Sequence, residues 1–592
     1  MRIPSALARS ARRAALPTLL LLLAAPLPAQ YQDHRALTAT LQSLAQRDRA
    51  RTELVTVATS PGGRAVQALR VGAANRPALL VVANAHGPHL VGSAAALAAA
   101  EALLNGSAAG VLDRATVWFV PRLNPDAAEA MFAKPLGERT GNGMATDDDR
   151  DWELDEDAGN DLNGDGLLTA MRIADPNGDW LEDAEEPGLM RRADAAKGEV
   201  GKWRLLTEGT DDDGDKRYNE DGPGGVDVNR NFPYNYPHHG IAAGRFPMES
   251  PEARGLAEFV MAHPEIAAIY VMGPEDNLLK AWENRPNAGI MNATTRERAT
   301  EGTSAGGQLN SILRADQNTF AELARRFQAT TGLSKGPASA ALAGDVLSWS
   351  YFNFGRWSAG SRVWWAPEVA KDTTKGTKDA KDTKDTTAAG GARPSGGGGT
   401  PGGRASGGST DANADERTAI KWYRSIGQEA VVPWTAVKLP GESAVVEVGG
   451  LKPGVLLNPP AGSELDSALS RQSRFVAELA GMLPRIALRD LKVESVGEGV
   501  WRITVELANE GALPTNTALG SRMRNPRNVR VALDLRGATL LSGQAIQVEG
   551  PIAGGGRSST LAWTVGAARG ATLSLLAESP TTGSITQTIT LR

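Results

Sequence analysis

The sequence predicts an α/β domain followed by a smaller antiparallel β-sandwich. Three observations predict it. Apolar runs before residue 273 follow the rhythm strand, helix, strand. From Lys371 to Ala419 no apolar residue is larger than Ala or Pro, so that stretch cannot offset its ordering entropy and reads as disordered. Beyond Arg489 the pattern turns to period two, with Gly, Pro and Asn between short runs. The predicted order is a signal segment 1–29, an α/β domain 30–370, a low-complexity insert 371–419, the end of the α/β domain 420–488, and a sandwich 489–592.

The elements follow in order. Arg2, Arg9, Arg12 and Arg13 precede a short apolar run with Leu19–Leu23, closing at small Ala29. A basic start, a short apolar core and a small residue form a secretory signal, too short to span about 30 Å of hydrocarbon. The expectation is an exported mature chain starting near Gln30, periplasmic or extracellular, with no membrane span. Glu53–Ser60 and Ala65–Gly72 flank Pro61-Gly62-Gly63-Arg64 as a hairpin. Ala78–Ala85 and Thr116–Leu123 read as strands buried on both faces. Leu90–Leu104 reads as a helix ending at Asn105-Gly106, Pro251–Ala262 as another, and Ile266–Met272 as a further buried strand. Ser467–Leu483 is helical. Val500–Leu507, Val529–Leu535 and Ile585–Leu591 alternate as sandwich strands.

Composition excludes several classes. The chain has 592 residues, 41% apolar, with no cysteine and six histidines. A disulfide framework, a thiolate metal site and a cysteine nucleophile are therefore absent. A net charge of −5 provides no basic footprint for nucleic acid. Any metal site must draw on His, Asp and Glu.

Three segments hold candidate chemistry. Asn84-Ala85-His86-Gly87-Pro88-His89 ends a buried strand and opens a helix, where ligand sites of α/β sheets lie. Two histidines three apart can face one metal ion, or cap and pack. Gly225-Val226-Asp227-Val228-Asn229-Arg230-Asn231-Phe232-Pro233 carries a guanidinium at an apolar strand end. Arg230 can grip a carboxylate with Asn229 adding a bond, or can bridge the nearby acids. Val363-Trp364-Trp365-Ala366-Pro367-Glu368 closes an apolar run with an acid. Glu368 is a candidate general base, because apolar surroundings raise a carboxylate pKa, or an ordinary salt-bridged Glu.

Together these segments resemble the zinc carboxypeptidase family, the carboxypeptidase A-like metallopeptidases, over residues 35–370 and again over 420–485. Gly225–Pro233 resembles the family's Gly-Val-Asp-x-Asn-Arg-Asn-Phe, and Arg122-Leu123-Asn124-Pro125-Asp126 its Pro-x-x-Asn-Pro-Asp. The resemblance implies a mixed, mostly eight-stranded sheet with helices on both faces. It implies zinc held by His, Glu and His, a catalytic glutamate, and an Asn-Arg pair on the substrate's terminal carboxylate. By position His86 matches the first ligand, Glu368 the catalytic glutamate, and Asn229 and Arg230 the clamp. Arg172 resembles the arginine that polarises the scissile carbonyl. His89 stands where the family has Glu. The third ligand position falls in Ile269–Gly273, where Met272 is the occupant and a thioether is a poor zinc ligand. Glu275 and Asp276 are substitute donors if the loop folds back, and His238 and His239 read as loop residues. The implied function is zinc-dependent hydrolysis of C-terminal residues from peptides and proteins. The alternative is a non-catalytic relative that binds peptide C-termini with a degraded zinc site.

An acid-rich stretch completes the reading. Asp161-Leu162-Asn163-Gly164-Asp165 sets oxygens at alternate positions, as in the first half of a calcium loop, but Arg172 stands where a closing Glu belongs. Calcium held by Asp161, Asn163 and Asp165 is one expectation and a solvated acidic loop the other. The C-terminal sandwich shows no catalytic cluster.

Overall fold

The computed structural model describes residues 30–592, apart from 109, 148–151, 156, 213, 215–216, 220, 223, 285–308, 338, 340–342, 370–412 and 440–444. The signal segment 1–29 and most of the low-complexity insert lie outside the described residues. The end of that insert lies inside them, and there the expectation of disorder fails. A helix, Ala414–Ser425, starts within it, because Arg417 reaches the buried Asp183 at 2.6 Å while Ile420 and Trp422 pack into the core.

The main sheet is mixed and has six strands, not eight. Its order is Thr52–Thr59, Ala65–Val71, Thr116–Val120, Ala78–Ala83, Ile266–Met272, Trp357–Ser361. The first two form the antiparallel hairpin, and the last four run parallel. Ala78–Ala83 is buried at every residue because helices cover both faces of the sheet. Leu79, Val81 and Ala83 meet the helices Leu90–Leu104 and Ser463–Gly481 on one side. Leu80 and Val82 meet Pro251–Ala262 and Val346–Phe352 on the other. Each such aliphatic side chain contributes about 1.5–3 kcal/mol on burial.

The eight-strand expectation fails because the acid-rich stretch makes a sheet of its own. Ala170–Ala174, Trp180–Glu182, Met190–Arg192 and Trp203–Thr207 pair with Val431–Lys438 and Val445–Leu451 in a second six-stranded antiparallel sheet. The strands that follow the insert, Val431–Lys438 and Val445–Leu451, thus add to this sheet, while Trp357–Ser361 before it lies in the main one.

After Pro484 two four-stranded antiparallel sheets pack face to face. The alternation in Val500–Asn509 puts Trp501, Ile503, Val505 and Leu507 inside, against Val531, Leu533, Leu573 and Leu575. This unit docks on the strand starts of the main sheet. Buried Arg356 donates to the Ile266 carbonyl at 2.6 Å and to Asn525 at 3.1 Å. Trp357 Nε1 donates to the Pro514 carbonyl, and Asp316 caps the Ala518 amide. The sandwich therefore sits at the sheet edge opposite Met272 and Ser361.

Candidate functional site

Three parallel strands end together: Ala83 is the register partner of Met272, and Met272 of Ser361. Ligand sites of α/β sheets lie outside such carboxyl ends. Asn84 leaves the first strand at φ +55°, a left-handed conformation that asparagine tolerates. Its side-chain amide donates to the carbonyls of His86, Gly87 and His89 at 3.2, 2.7 and 3.2 Å, tying the turn. Gly87 is required, since a Cβ there would meet the Ala127 Cβ at 2.2 Å. A Cβ on Gly92 would stand 2.7 Å from the Met272 carbonyl and 2.9 Å from His89 Nδ1, so this glycine lets the helix start approach the strand end.

His89 is fully buried and its imidazole is pushed down to about 3, first by burial, then by the neighbouring His86 and Arg362. Nδ1 lies beside the Met272 carbonyl but outside hydrogen-bonding geometry, and Nε2 has no partner. His86 is half-buried.

The strand Ile266–Met272 leads into Gly273-Pro274-Glu275. Glu275 Oε1 accepts from Asn229 Nδ2 at 2.8 Å, and Asn229 Oδ1 accepts from the Val346 amide at 3.3 Å. Both side chains are buried. Burial, then the Asp345 charge, push Glu275 up to about 8. Burial likewise takes Asp227 to about 7 and Asp345 to about 6. Glu275 Oε2 and Asp345 Oδ2 are buried without a hydrogen-bond partner. The cluster is acidic by composition, yet its surroundings favour protonated carboxyls.

The predicted residues divide. His89 Nδ1 and the Met272 carbonyl both flank Gly92, and Glu275, three residues past Met272, holds Asn229, the neighbour of Arg230. Arg230 is half-buried and donates to the Ile241 carbonyl at 3.0 Å; among the described residues no carboxylate forms an ion pair with it. Asn229 is engaged internally rather than presented to a ligand. Glu368 is exposed beyond the strand Trp357–Ser361, and Arg362 is the residue of that segment that stands beside His89. Arg172 is elsewhere, in the second sheet. Its guanidinium lies between Trp203 and Trp434, 4.3 and 4.5 Å from the ring centroids, and pairs with Glu182 and Glu447. His238 and His239 lie in the loop following the Asn229–Arg230 segment.

Two arginines that the sequence reading left out border the site. Arg362 follows the last strand. Arg139 has its carbonyl 3.0 Å from the Cβ position of Gly87, and its side chain donates to the Asp126 carbonyl. Asp126 itself is structural, accepting from Ser60 Oγ, the Gly62 amide and Arg64. In the calcium candidate, Asp161 accepts from the amides of Gly164, Asp165 and Gly166, Asn163 from Asp165, and Asp165 from Leu167.

A family model described as zinc carboxypeptidase matches residues 37–362, and a second, described as a domain of unknown function, matches 485–590. The chain belongs to the zinc carboxypeptidase family. Among solved structures it is similar to bovine thrombin-activatable fibrinolysis inhibitor in complex with tick carboxypeptidase inhibitor. That match has 14% identity over 56% of this chain and 85% of the other, with a TM-score of 0.32. It is also similar to carboxypeptidase A from Helicoverpa armigera, at 13% identity over 54% and 62%, TM-score 0.32. A third is a metallo-carboxypeptidase from Pseudomonas aeruginosa, at 14% over 55% and 58%, TM-score 0.26. No curated protein matches.

The family is zinc-dependent, but the residues present here do not fit the ion. A catalytic zinc takes three protein ligands of the N or O type. Among the described residues no three His, Asp or Glu side chains come together as donors. Met272, which the resemblance puts at the third ligand position, is fully buried.

Proposed function

We propose that this chain is a non-hydrolytic member of the family that binds free carboxylate termini of peptides at Arg230. The observation that carries this reading is Met272, buried at the end of the central strand where a third metal donor belongs. Arg230 supports the binding half, because a half-buried guanidinium bonded to a single carbonyl keeps donors for a bidentate carboxylate. Zinc-dependent hydrolysis is the second reading. It is favoured by the buried His89 nitrogens that lack partners. Export belongs to the same proposal, and the secreted chain would begin near Gln30.

Paired peptides, one with a free C-terminus and one amidated, test the reading by calorimetry. The free acid should bind at least about tenfold more tightly, as a charge-assisted pair implies. Arg230→Ala should erase that difference, and no amino acid should be released in zinc-supplemented buffer. Release of the terminal residue, abolished by His86→Ala, would establish the hydrolytic reading instead.

A further inference from the structure

We infer that Asn458, supported by Gln472, is a positioning residue of this site, supplied by the chain that returns after the low-complexity stretch. Both lie beyond residue 362, where the family match ends. The helix Leu90–Leu104 starts at His89, whose side chain makes no capping bond. The first-turn amides of a helix need acceptors from outside it. Asn458 Oδ1 provides one, accepting from the Val91 amide at 2.9 Å. Asn458 Nδ2 donates to the Pro88 carbonyl at 2.8 Å. One side-chain amide thus grips the helix start and the turn before it, on either side of His89. Only a group that both donates and accepts can do so.

Asn458 is itself fixed. It is buried, its carbonyl accepts from Tyr423 Oη at 3.1 Å, and its amide donates to the Gly454 carbonyl at 2.9 Å. Gln472, on the helix Ser463–Gly481, repeats the arrangement at the neighbouring strand ends. It is fully buried, accepts from Tyr270 Oη, and donates through Nε2 to Ser361 Oγ at 3.3 Å. Ser361 is the register partner of Met272. The returning segment therefore sets the turn 86–89 and the strand ends that face it, whichever chemistry the site performs.

Hydrogen exchange on the full chain tests this. Asn458→Ala should speed exchange of residues 84–92 roughly tenfold, while strands 78–82 and 116–120 keep their protection. Asn458→Asp, which keeps the acceptor for Val91 but loses the donor to Pro88, should fall between. Gln472→Leu should act at 361–364 and leave 84–92 unchanged. Unchanged exchange at 84–92 in Asn458→Ala overturns the inference, and so does acceleration spread evenly over the domain. If Asn458→Ala does not fold, Asn458→Asp carries the comparison: a smaller acceleration confined to 84–92 supports the inference, and none there, or an even one over the domain, overturns it.

Discussion

Asn229 donates its side-chain amide to Glu275 at 2.8 Å, and both residues are buried beneath the carboxyl ends of the central strands. The family resemblance assigns this asparagine to a ligand's carboxylate, but here a carboxyl group of the same chain holds it. The contact leaves half-buried Arg230 as the more accessible half of the pair. It also places a buried acid among Asp227 and Asp345.

That acid makes stability depend on pH. Glu275 titrates at about 8 in the folded chain because burial and the Asp345 charge disfavour its ionised form. A raised folded pKa means that the unfolded chain releases its proton first. The contribution is complete below about 4.5, the ordinary glutamate range, and is lost as pH rises toward 8. His89 has the opposite sign, and its contribution is lost below about 6.5. Denaturant midpoints measured from pH 6.5 to 9 should therefore fall with rising pH, and Glu275→Gln should flatten the slope. A slope unchanged by that substitution would contradict the assignment.

Arg172 lies in the second sheet, its guanidinium committed to two indole rings and two glutamates. Arg172→Ala removes two cation–π contacts and leaves Glu447 and Glu182 without their shared cation. Loss of about 2–4 kcal/mol in chemical denaturation is expected, with peptide affinity unaffected. A variant of native stability that no longer binds peptide would return Arg172 to the site.

Calcium removal should leave the fold unmoved. The oxygens of Asp161, Asn163 and Asp165 already accept from backbone amides of their own loop. A structural ion present at 100 times its dissociation constant would add about 2.7 kcal/mol. Thermal melts with and without chelator should superimpose, and a fall of several degrees on chelation would show that the loop holds calcium.

Much of the fold was legible because burial enforces pattern. Ile266–Met272 and Leu90–Leu104 are continuous apolar stretches of strand and helix length, and the structure has them at those bounds. The alternation after Arg489 marked strands whose inner residues form one core. The second sheet was not legible, because four of its strands are only three to five residues long and its partners Val431–Lys438 and Val445–Leu451 come more than two hundred residues later. His86, His89 and Met272 could be read from position at strand ends. Arg139, Arg362 and Asn458 could not. Each is a single polar residue in irregular chain, and its role comes from contacts with residues far along the chain. Glu368 follows an apolar run in the sequence, yet it lies exposed past the buried Val363 and Trp364.

On the non-hydrolytic reading, the donor set around His86 and His89 does not hold zinc. Equilibrium dialysis of the purified chain against micromolar free zinc, with metal content read by mass spectrometry, tests it most directly. Less than about 0.1 equivalent is expected, unaltered in His86→Ala, because a site lacking a full donor set loses most of the roughly 10–16 kcal/mol of a complete one. Close to one equivalent of zinc, lost in His86→Ala, would contradict it.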